Sequence, residues 1–194
     1  ADLSGYFDSI PHAELMKSAA RRVVDGAMLA LIKMWLVMPV EEDDDRGRKQ
    51  RTTVAKDTGR GTPQGAPVSP LLANIYIRRF VAGWRALGHE ARLGARIVNY
   101  ADDFVICCRG TGAKALAAMQ AMMARLKLTV NEAKTRLVHV PGETFDFLGY
   151  TFGRCWSAKT GRSYIGTRPS KKAIARLRGK IHARTDRSTT CQPE

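Results

Sequence analysis

The sequence predicts an α+β fold in which an antiparallel sheet packs against helices on one face. Three observations support this class. Periodic segments follow one another as strand, helices, loop, helix, hairpin, helix and strands. Strand and helix do not alternate regularly, as they would around a parallel sheet. No segment repeats at a fixed spacing, which excludes a solenoid or a propeller.

The first segment, residues 1–7, is expected to be a short strand that runs into a turn. Two helices should follow, over residues 12–22 and 23–38. Pro11 suits the first turn of the first helix, and apolar side chains recur at helical spacing in the second.

The acidic run at residues 41–45 and the basic run at residues 46–51 predict an exposed hairpin or loop, because contiguous like charges favour a solvated position. Residues 52–55 are expected to belong to one of its strands. Residues 59–70 hold several Gly and Pro residues and few large apolar ones, which predicts irregular structure.

The middle of the chain is expected to alternate between helices and a hairpin. We expect a helix over residues 71–84 and then a turn region at residues 88–94. Two strands over residues 97–100 and 104–108 should form a tight hairpin, followed by a helix over residues 111–127.

Further strands are expected over residues 128–130, 137–140 and 145–152, the last with a bend at Gly149. From Arg154 to Arg187 the chain holds eleven Lys or Arg residues and one acid. Ser170 is placed to cap a helix that begins at Lys171. Residues 185–194 are expected to be disordered.

The composition points to a polyanionic partner. Thirty-two Lys and Arg residues against eighteen Asp and Glu residues give a formal net charge of +14, which attracts nucleic acid first and an anionic membrane second. The most apolar stretch, residues 27–40, is too short to span a bilayer, and residues 1–5 lack a secretory pattern. The cysteines lack metal-ligand spacing, so we expect reduced thiols in a cytoplasmic protein; they are Cys107, Cys108, Cys155 and Cys191.

Two adjacent carboxylates, Asp102 and Asp103, lie at the turn of the expected hairpin, between apolar strands that would hold them in place. A polar turn explains this pair equally well on its own. Asp2 adds a carboxylate that is remote in sequence and lies on another expected strand. Carboxylates from neighbouring strands are what a two-metal site requires, and Mg²⁺ suits such a site because it keeps positions for phosphate and water.

The glycine-rich segment at residues 61–65 matches neither the phosphate-loop pattern nor the dinucleotide-binding pattern. Its glycines would let the backbone approach a flat ligand closely. Gln64 would then contact an incoming nucleotide or the template.

Five strings, in this order, resemble the palm motifs of reverse transcriptases encoded by group II introns, a family that includes maturases. They are Asp-x-x-Gly-Tyr-Phe-Asp-Ser-Ile-x-His at residues 2–12, Thr-Pro-Gln-Gly followed by Ser-Pro-Leu-Leu-Ala-Asn-Ile-Tyr at residues 62–76, Tyr-Ala-Asp-Asp-Phe at residues 100–104, Leu-x-Leu-x-x-Asn-x-x-Lys-Thr at residues 126–135 and Phe-x-Phe-Leu-Gly-Tyr at residues 145–150. Together they cover almost the whole chain to Phe152.

The resemblance implies a polymerase palm that joins a dNTP to a primer 3′-hydroxyl. It implies two Mg²⁺ ions, with Mn²⁺ as a substitute, held by Asp2, Asp102, Asp103 and the carbonyl of Leu3. The implied partners are an RNA template, expected to be intron RNA, a DNA primer and a dNTP, with no membrane.

By the same resemblance, Phe7 matches an aromatic gate that excludes a 2′-hydroxyl, and Gln64 and Gly65 match the nucleotide-side loop. Lys134 matches a catalytic lysine that protonates the leaving pyrophosphate. The turn that grips the primer end corresponds to Phe147, Leu148 and Gly149. Without the motifs, Phe7 would be interpreted as a core residue and Lys134 as a solvated surface residue.

The resemblance further implies that residues 1–167 form the palm of a longer protein, with the fingers segment before Asp2 largely absent. Residues 168–194 are expected to begin a basic thumb helix with a disordered tail. Two alternatives stay open: an RNA-binding maturase or polymerase remnant whose palm is only a scaffold, and a related reverse transcriptase of a retron, a CRISPR locus or phage defence.

Overall fold

The computed structural model of the chain describes residues 3–43, 49–63 and 65–185. The chain divides into two compact units, Ala1–Leu137 and Val138–Glu194. The helices are, in chain order, α1 (Tyr6–Ser9), α2 (His12–Ala20), α3 (Gly26–Val37), α4 (Val54–Thr58), α5 (Ser69–Ala86), α6 (His89–Leu93), α7 (Gly112–Arg125) and α8 (Lys171–Thr185). The strands are β1 (Val40–Asp43), β2 (Lys49–Thr52), β3 (Arg96–Tyr100), β4 (Asp103–Cys107), β5 (Phe145–Phe147), β6 (Tyr150–Trp156) and β7 (Ser163–Pro169).

The strands of the described residues form three small antiparallel sheets, which pair β1 with β2, β3 with β4, and β5 with β6 and β7. The α+β class with antiparallel pairing is therefore confirmed, although the pairing is divided among three sheets. No helix in the described ranges is both long and apolar enough to cross a membrane.

The core of the first unit is built on α5 and α7, whose apolar residues recur at helical spacing and share one face. Tyr76, Phe80 and Trp84 of α5 are fully buried, as are Met119 and Met123 of α7. Burial of this set removes a large apolar area from water, which is the main contribution to stability.

Two of the buried rings in this core carry polar atoms that find partners. The Tyr76 hydroxyl donates to the Leu126 carbonyl at 2.7 Å, and Nε1 of Trp84 donates to the Ala95 carbonyl at 2.8 Å. The rings are therefore buried without the cost of an unsatisfied hydrogen-bonding group, and they tie the end of α7 and the start of β3 to α5.

The β3–β4 hairpin is fixed to this core by one ring. Phe104, the second residue of β4, is 1% exposed, and its ring lies 5.4 Å from that of Phe80. Because Tyr100 pairs with Asp103, the turn between the strands holds only Ala101 and Asp102. The tip of the hairpin is thus held by a ring that lies next to it in the sequence.

The expected helices at 12–22, 23–38, 71–84 and 111–127 are confirmed to within a few residues by α2, α3, α5 and α7. The charged hairpin is confirmed as well, since Val40 pairs with Thr52 across β1 and β2. Residues 44–48 lie outside the described residues. Residues 186–194, which make up the expected disordered tail beyond Thr185, lie outside them as well.

Several strand predictions were wrong. Residues 1–7 do not form a strand in their described part, because the chain turns at Gly5 and enters α1 at Tyr6; Leu3 makes a single bridge to Val130. That bridge is also the sole strand-like pairing of residues 128–130, and residues 137–140 form no strand. Short apolar runs of this kind do not reveal whether a partner strand is near.

Three other local predictions differ in kind from the structure. The strand predicted through residues 52–55 ends at Thr52, and Val54 begins α4, in which Thr53 donates to the Asp57 carboxylate at 2.7 Å. Residues 88–94, predicted as a turn, contain the short helix α6. Residues 145–152 form two strands because the chain reverses at Leu148 and Gly149.

The second unit consists of the β5–β6–β7 sheet and α8. Ser170 caps α8, as predicted: its Oγ accepts a hydrogen bond from the Ala173 backbone N–H at 3.2 Å. The two compact units meet at residue 137 in the sequence. The separation of palm from thumb near residue 167 stays a prediction.

The turn between β5 and β6 is backbone-strained. Its two residues, Leu148 and Gly149, have φ values of 50° and 80°, which is the pattern of a type I′ turn, a turn that favours Asn-Gly. A leucine in the left-handed region costs about 1–2 kcal/mol. Leu148 is also 48% exposed, so burial does not compensate for this strain.

We therefore expect Leu148→Asn to raise the free energy of unfolding by about 0.5–1 kcal/mol, because asparagine tolerates this backbone conformation. Urea denaturation followed by circular dichroism measures the change. Leu148→Ala is the matched control, since it shortens the side chain and keeps the strain. Equal stabilities of the two variants would contradict the proposed cause.

Candidate active site

The two carboxylates predicted at a hairpin turn are at the tip of β3–β4. Asp102 is the second residue of the turn and is partly exposed, and Asp103 begins β4 and is exposed. Ala101, the first turn residue, has a φ of 51°, a conformation that normally selects glycine and costs alanine about 1–2 kcal/mol. Strain of this kind is concentrated at functional sites.

Tyr6 connects this tip with the segment that follows Asp2. Its side chain is buried, and its hydroxyl donates to the Ala73 carbonyl of α5 at 2.6 Å. Burial is the main cause that raises the pKa of Tyr6 above its ordinary value, and the negative charge of Asp102 raises it further. The Asp102 carboxylate therefore lies within electrostatic range of α1.

The glycine-rich loop is bound to the same segment through its backbone. The Thr62 N–H donates to the Phe7 carbonyl at 2.7 Å, and the Gly61 N–H donates to the Ile10 carbonyl at 2.9 Å. Nε2 of His12 lies 2.7 Å from the Gly61 carbonyl oxygen, which can only accept, so the imidazole donates from Nε2. These bonds hold the loop and α1 together as one structure.

Phe7 contacts both Tyr6 and the glycine-rich loop. Its ring is half-buried and lies 5.8 Å from the ring of Tyr6, at an interplanar angle of 58°. Its backbone carbonyl is the acceptor for Thr62. The ring is thus packed against a buried tyrosine, and the backbone of the same residue is bound to the loop.

Gly61 is required where the loop meets α1. Its φ is 95°, and a Cβ added there would lie 3.3 Å from the backbone oxygen of Asp8. We expect Gly61→Ala to lower the free energy of unfolding by about 1–3 kcal/mol, because the side chain adds backbone strain and pushes the loop from α1. Urea denaturation measures this loss.

The control for that substitution is Gly26→Ala, at the first position of α3, where an added Cβ meets nothing within 4 Å. It should leave the unfolding midpoint unchanged or raise it slightly, since alanine favours the helix. If both variants unfold at the same urea concentration, the close contact between Gly61 and α1 does not limit stability.

The carboxylates at the tip suit a hard divalent cation. Asp102 and Asp103 offer oxygen ligands on adjacent residues that solvent can reach, and such cations bind to one or two carboxylates while retaining water. Asp2, the third predicted ligand, lies outside the described residues. Among the residues that the structure does describe, no three acidic, histidine or cysteine side chains form a metal-binding group.

A cleft of about 370 Å³ opens beside β3. Asn99, three residues before Asp102, lies at one wall, and residues of α5 form the other. Its polar lining includes a guanidinium and two carboxamides, which can donate hydrogen bonds to an anionic or sugar group; the lining residues are Asn74, Ile75, Ile77, Arg78, Val81 and Asn99.

Comparison with known proteins identifies the family. Residues 1–152 match the reverse transcriptase (RNA-dependent DNA polymerase) family. The chain belongs to this family. The match includes the two carboxylates, the loop and α1, so the site described above lies inside the family region of this reverse transcriptase.

Two curated proteins are similar to this reverse transcriptase. Protein YkfC of Escherichia coli (strain K12) is 30% identical over 203 residues, which cover 89% of this chain and 51% of that protein. An uncharacterized 91 kDa protein in the cob intron of Schizosaccharomyces pombe is 35% identical over 78 residues, 40% of this chain and 9% of that protein. The chain thus spans about half of the length of the first relative and far less of the second.

Solved structures share the fold of this reverse transcriptase. Among them is apo telomerase from Candida tropicalis, truncated from its C-terminal domain, which matches with a TM-score of 0.57 at 13% identity. The match covers 85% of this chain and 34% of that chain. At this identity the likeness supports the fold alone.

The remaining predicted site residues of the reverse transcriptase belong to several different segments of the chain. Gln64 lies outside the described residues, and its neighbour Gly65 is exposed with a φ of 86°. Leu3 is buried, in its bridge to Val130. Lys134 is exposed in a turn, where its N–H lies 3.2 Å from the Asn131 carbonyl oxygen. The predicted primer-gripping turn, residues 147–149, belongs to the second unit. The roles of these residues stay predictions.

Sequence reasoning missed the residues that support the site. Tyr6, His12 and Thr62 reach across 49 to 67 positions to carbonyls of other segments. His12 and Tyr6 stand inside the string at residues 2–12 that carries the resemblance, and this was the available signal. Their partners are backbone atoms, which leave no trace in residue identity.

Proposed function

We propose that this reverse transcriptase is an RNA-directed DNA polymerase, in which the primer 3′-hydroxyl attacks the α-phosphate of a dNTP in line and releases pyrophosphate. The observation that carries the proposal is the strained two-residue turn of β3–β4, which presents the adjacent carboxylates of Asp102 and Asp103 at the tip of the hairpin. Membership of the family supports it. Catalysis of this kind depends on positioning and on stabilisation of charge.

In this proposal Asp102 and Asp103, together with Asp2 and the Leu3 carbonyl, hold two divalent ions, with Mg²⁺ the preferred metal. Reverse transcriptases generally use divalent ions. When bound, such ions lower the pKa of the attacking hydroxyl and neutralise charge on the phosphates. The protein contributes a rigid tip, because Phe104 anchors the hairpin in the core.

The other side chains take supporting roles in the proposal. Phe7 forms the floor beneath the sugar, and Gln64 and Gly65 contact the nucleotide from the loop. Lys134 gives a proton to the leaving pyrophosphate. Phe147, Leu148 and Gly149 hold the end of the primer.

The test is templated extension by the full chain. A DNA primer annealed to an RNA template should be extended with dNTPs and Mg²⁺, to a product whose sequence is the complement of the template. Chelation of the metal should stop extension, and added Mg²⁺ should restore it. A folded chain that fails to extend any RNA-templated primer would contradict the proposal.

We further propose that the enzyme is of the group II intron kind and that intron RNA is its template. The similarity to a protein in the cob intron supports this, as does the resemblance of the five strings. We expect the chain to bind a group II intron RNA at least tenfold more tightly than a shuffled RNA of equal length. Equal affinities would remove the intron assignment and leave the polymerase proposal intact.

A further inference from the structure

The β5–β6–β7 sheet has two chemically different faces. Successive side chains of a strand point to opposite faces, and the register places alternate residues of all three strands together. Five aromatic residues and one arginine lie on one face, which is called here the aromatic face: Phe145, Phe147, Tyr150, Phe152, Arg154 and Trp156. A face with so many rings needs a partner or a covering element.

Much of the aromatic face is accessible. Trp156 is 67% exposed and Tyr150 is 52% exposed, and Ile165, opposite Arg154 on β7, is 63% exposed. Between them, Phe145 and Phe152 are partly buried and stack on each other, with ring centroids 5.1 Å apart and planes inclined by 9°. The exposed rings therefore flank a stacked aromatic pair on the same face of the sheet.

The opposite face differs in charge and in cover. The acid of this sheet, Asp146, lies there and accepts a hydrogen bond from the Thr151 hydroxyl. Gly153 is buried, and a Cβ added to it would meet the side chain of Thr144. The aromatic face holds no carboxylate, so nothing on it repels an anion.

The charge of the second unit favours a polyanion as the partner of the aromatic face, rather than a protein whose surface has an ordinary composition. Between residues 138 and 185 the chain holds ten Lys and Arg residues and two acids, Glu143 and Asp146, a formal charge of +8. Arg154 contributes a guanidinium to the aromatic face itself. A positive groove with accessible rings is the arrangement with which proteins bind single strands, because every base has a face on which an aromatic ring stacks.

We propose that the aromatic face binds single-stranded nucleic acid, with bases stacked on Tyr150 and Trp156 and a backbone phosphate bound by Arg154. This deepens the proposed polymerase function and rests on it for its biological setting. Tyr150 and Trp156 are six residues apart on β6, about 20 Å along an extended strand. The platform therefore engages several nucleotides at once.

The proposal is tested by the binding of labelled oligo(dT) and oligo(U) 12-mers to the full chain. Fluorescence anisotropy measures this binding, in EDTA and without nucleotides. Trp156→Ala and Tyr150→Ala should each weaken binding by about tenfold or more. Trp156→Phe keeps a ring and should stay within about threefold of wild type. Met34→Ala, which removes an exposed side chain of the first unit, should leave the affinity unchanged.

Tryptophan fluorescence adds a direct probe of stacking. Trp84 is buried and Trp35 is partly buried, so Trp156 is the most exposed of the three tryptophans. Oligonucleotide should quench the emission of the wild-type chain, and Trp156→Phe should remove the quenching while binding persists. Arg154→Gln should reduce the slope of log affinity against log salt by about one.

The outcomes separate this proposal from the polymerase proposal. A Trp156→Ala chain that is folded by circular dichroism and binds both 12-mers like wild type would overturn the aromatic platform. So would a change in self-association without a change in oligonucleotide affinity, which would assign the face to a second copy. Binding that depends on Trp156 in a chain that never extends a primer would keep the platform and reject the polymerase.

Discussion

Asp102→Ala is expected to abolish RNA-templated extension, with a loss of about a thousandfold or more in kcat. The carboxylate lies at the turn of β3–β4, where two divalent ions are proposed to bind. Removal of a carboxylate that would hold the ions should cost several kcal/mol of transition-state stabilisation, and each 1.36 kcal/mol corresponds to about tenfold in rate. Primer extension under single-turnover conditions measures the loss.

The fold should survive this substitution. Asp102 is partly exposed, and the hairpin is anchored through Phe104. The urea unfolding midpoint of Asp102→Ala should therefore stay close to that of wild type. Glu41→Ala, which removes an exposed acid on β1, serves as the matched control and should extend normally. If Asp102→Ala kept more than a tenth of wild-type extension, the proposed metal ligand would be wrong.

Phe7→Ala is expected to reduce discrimination against ribonucleotides by about 10- to 100-fold, in line with what one steric contact contributes in a pocket. The ring of Phe7 is half-buried against Tyr6. The hydrogen bond from the Thr62 N–H to the Phe7 carbonyl uses backbone atoms only, so it does not depend on the ring. Its removal should open space for a 2′-hydroxyl while the backbone stays in place. The ratio of kcat/KM for dCTP and CTP on one template measures the effect.

Phe7→Tyr is the conservative counterpart, because it keeps a ring of the same width. It should retain the discrimination of wild type, whereas alanine loses it. An alanine variant that extends with dNTPs and still rejects ribonucleotides as well as wild type would assign Phe7 to the core and place the gate elsewhere.

The sequence predicted elements whose information is local. Apolar residues at helical spacing predict α3 and α7, and apolar runs on both sides of Asp102 predict the β3–β4 hairpin. The cap at Ser170 is a local interaction as well. In these places side-chain periodicity and capping suffice, because the stabilising contacts are within a few residues.

Prediction failed where the outcome depends on a distant partner. Residues 128–130 look like a strand, yet only Val130 forms a bridge, to Leu3. The support of the candidate site has the same character, since the bond from Tyr6 ends on a backbone carbonyl 67 residues away. The sequence is enough to identify the candidate carboxylates, whereas the contacts that keep them in place are visible only in the fold.

The position of Phe104 has a consequence for how heat should affect the proposed activity. It follows Asp103 directly, and its ring is packed against Phe80 in the middle of the first unit. The acidic tip therefore has little freedom to loosen before the interior does. Primer extension should therefore be lost over the same temperature interval in which the first unit unfolds. It should not be lost at a lower temperature, at which the chain is still folded.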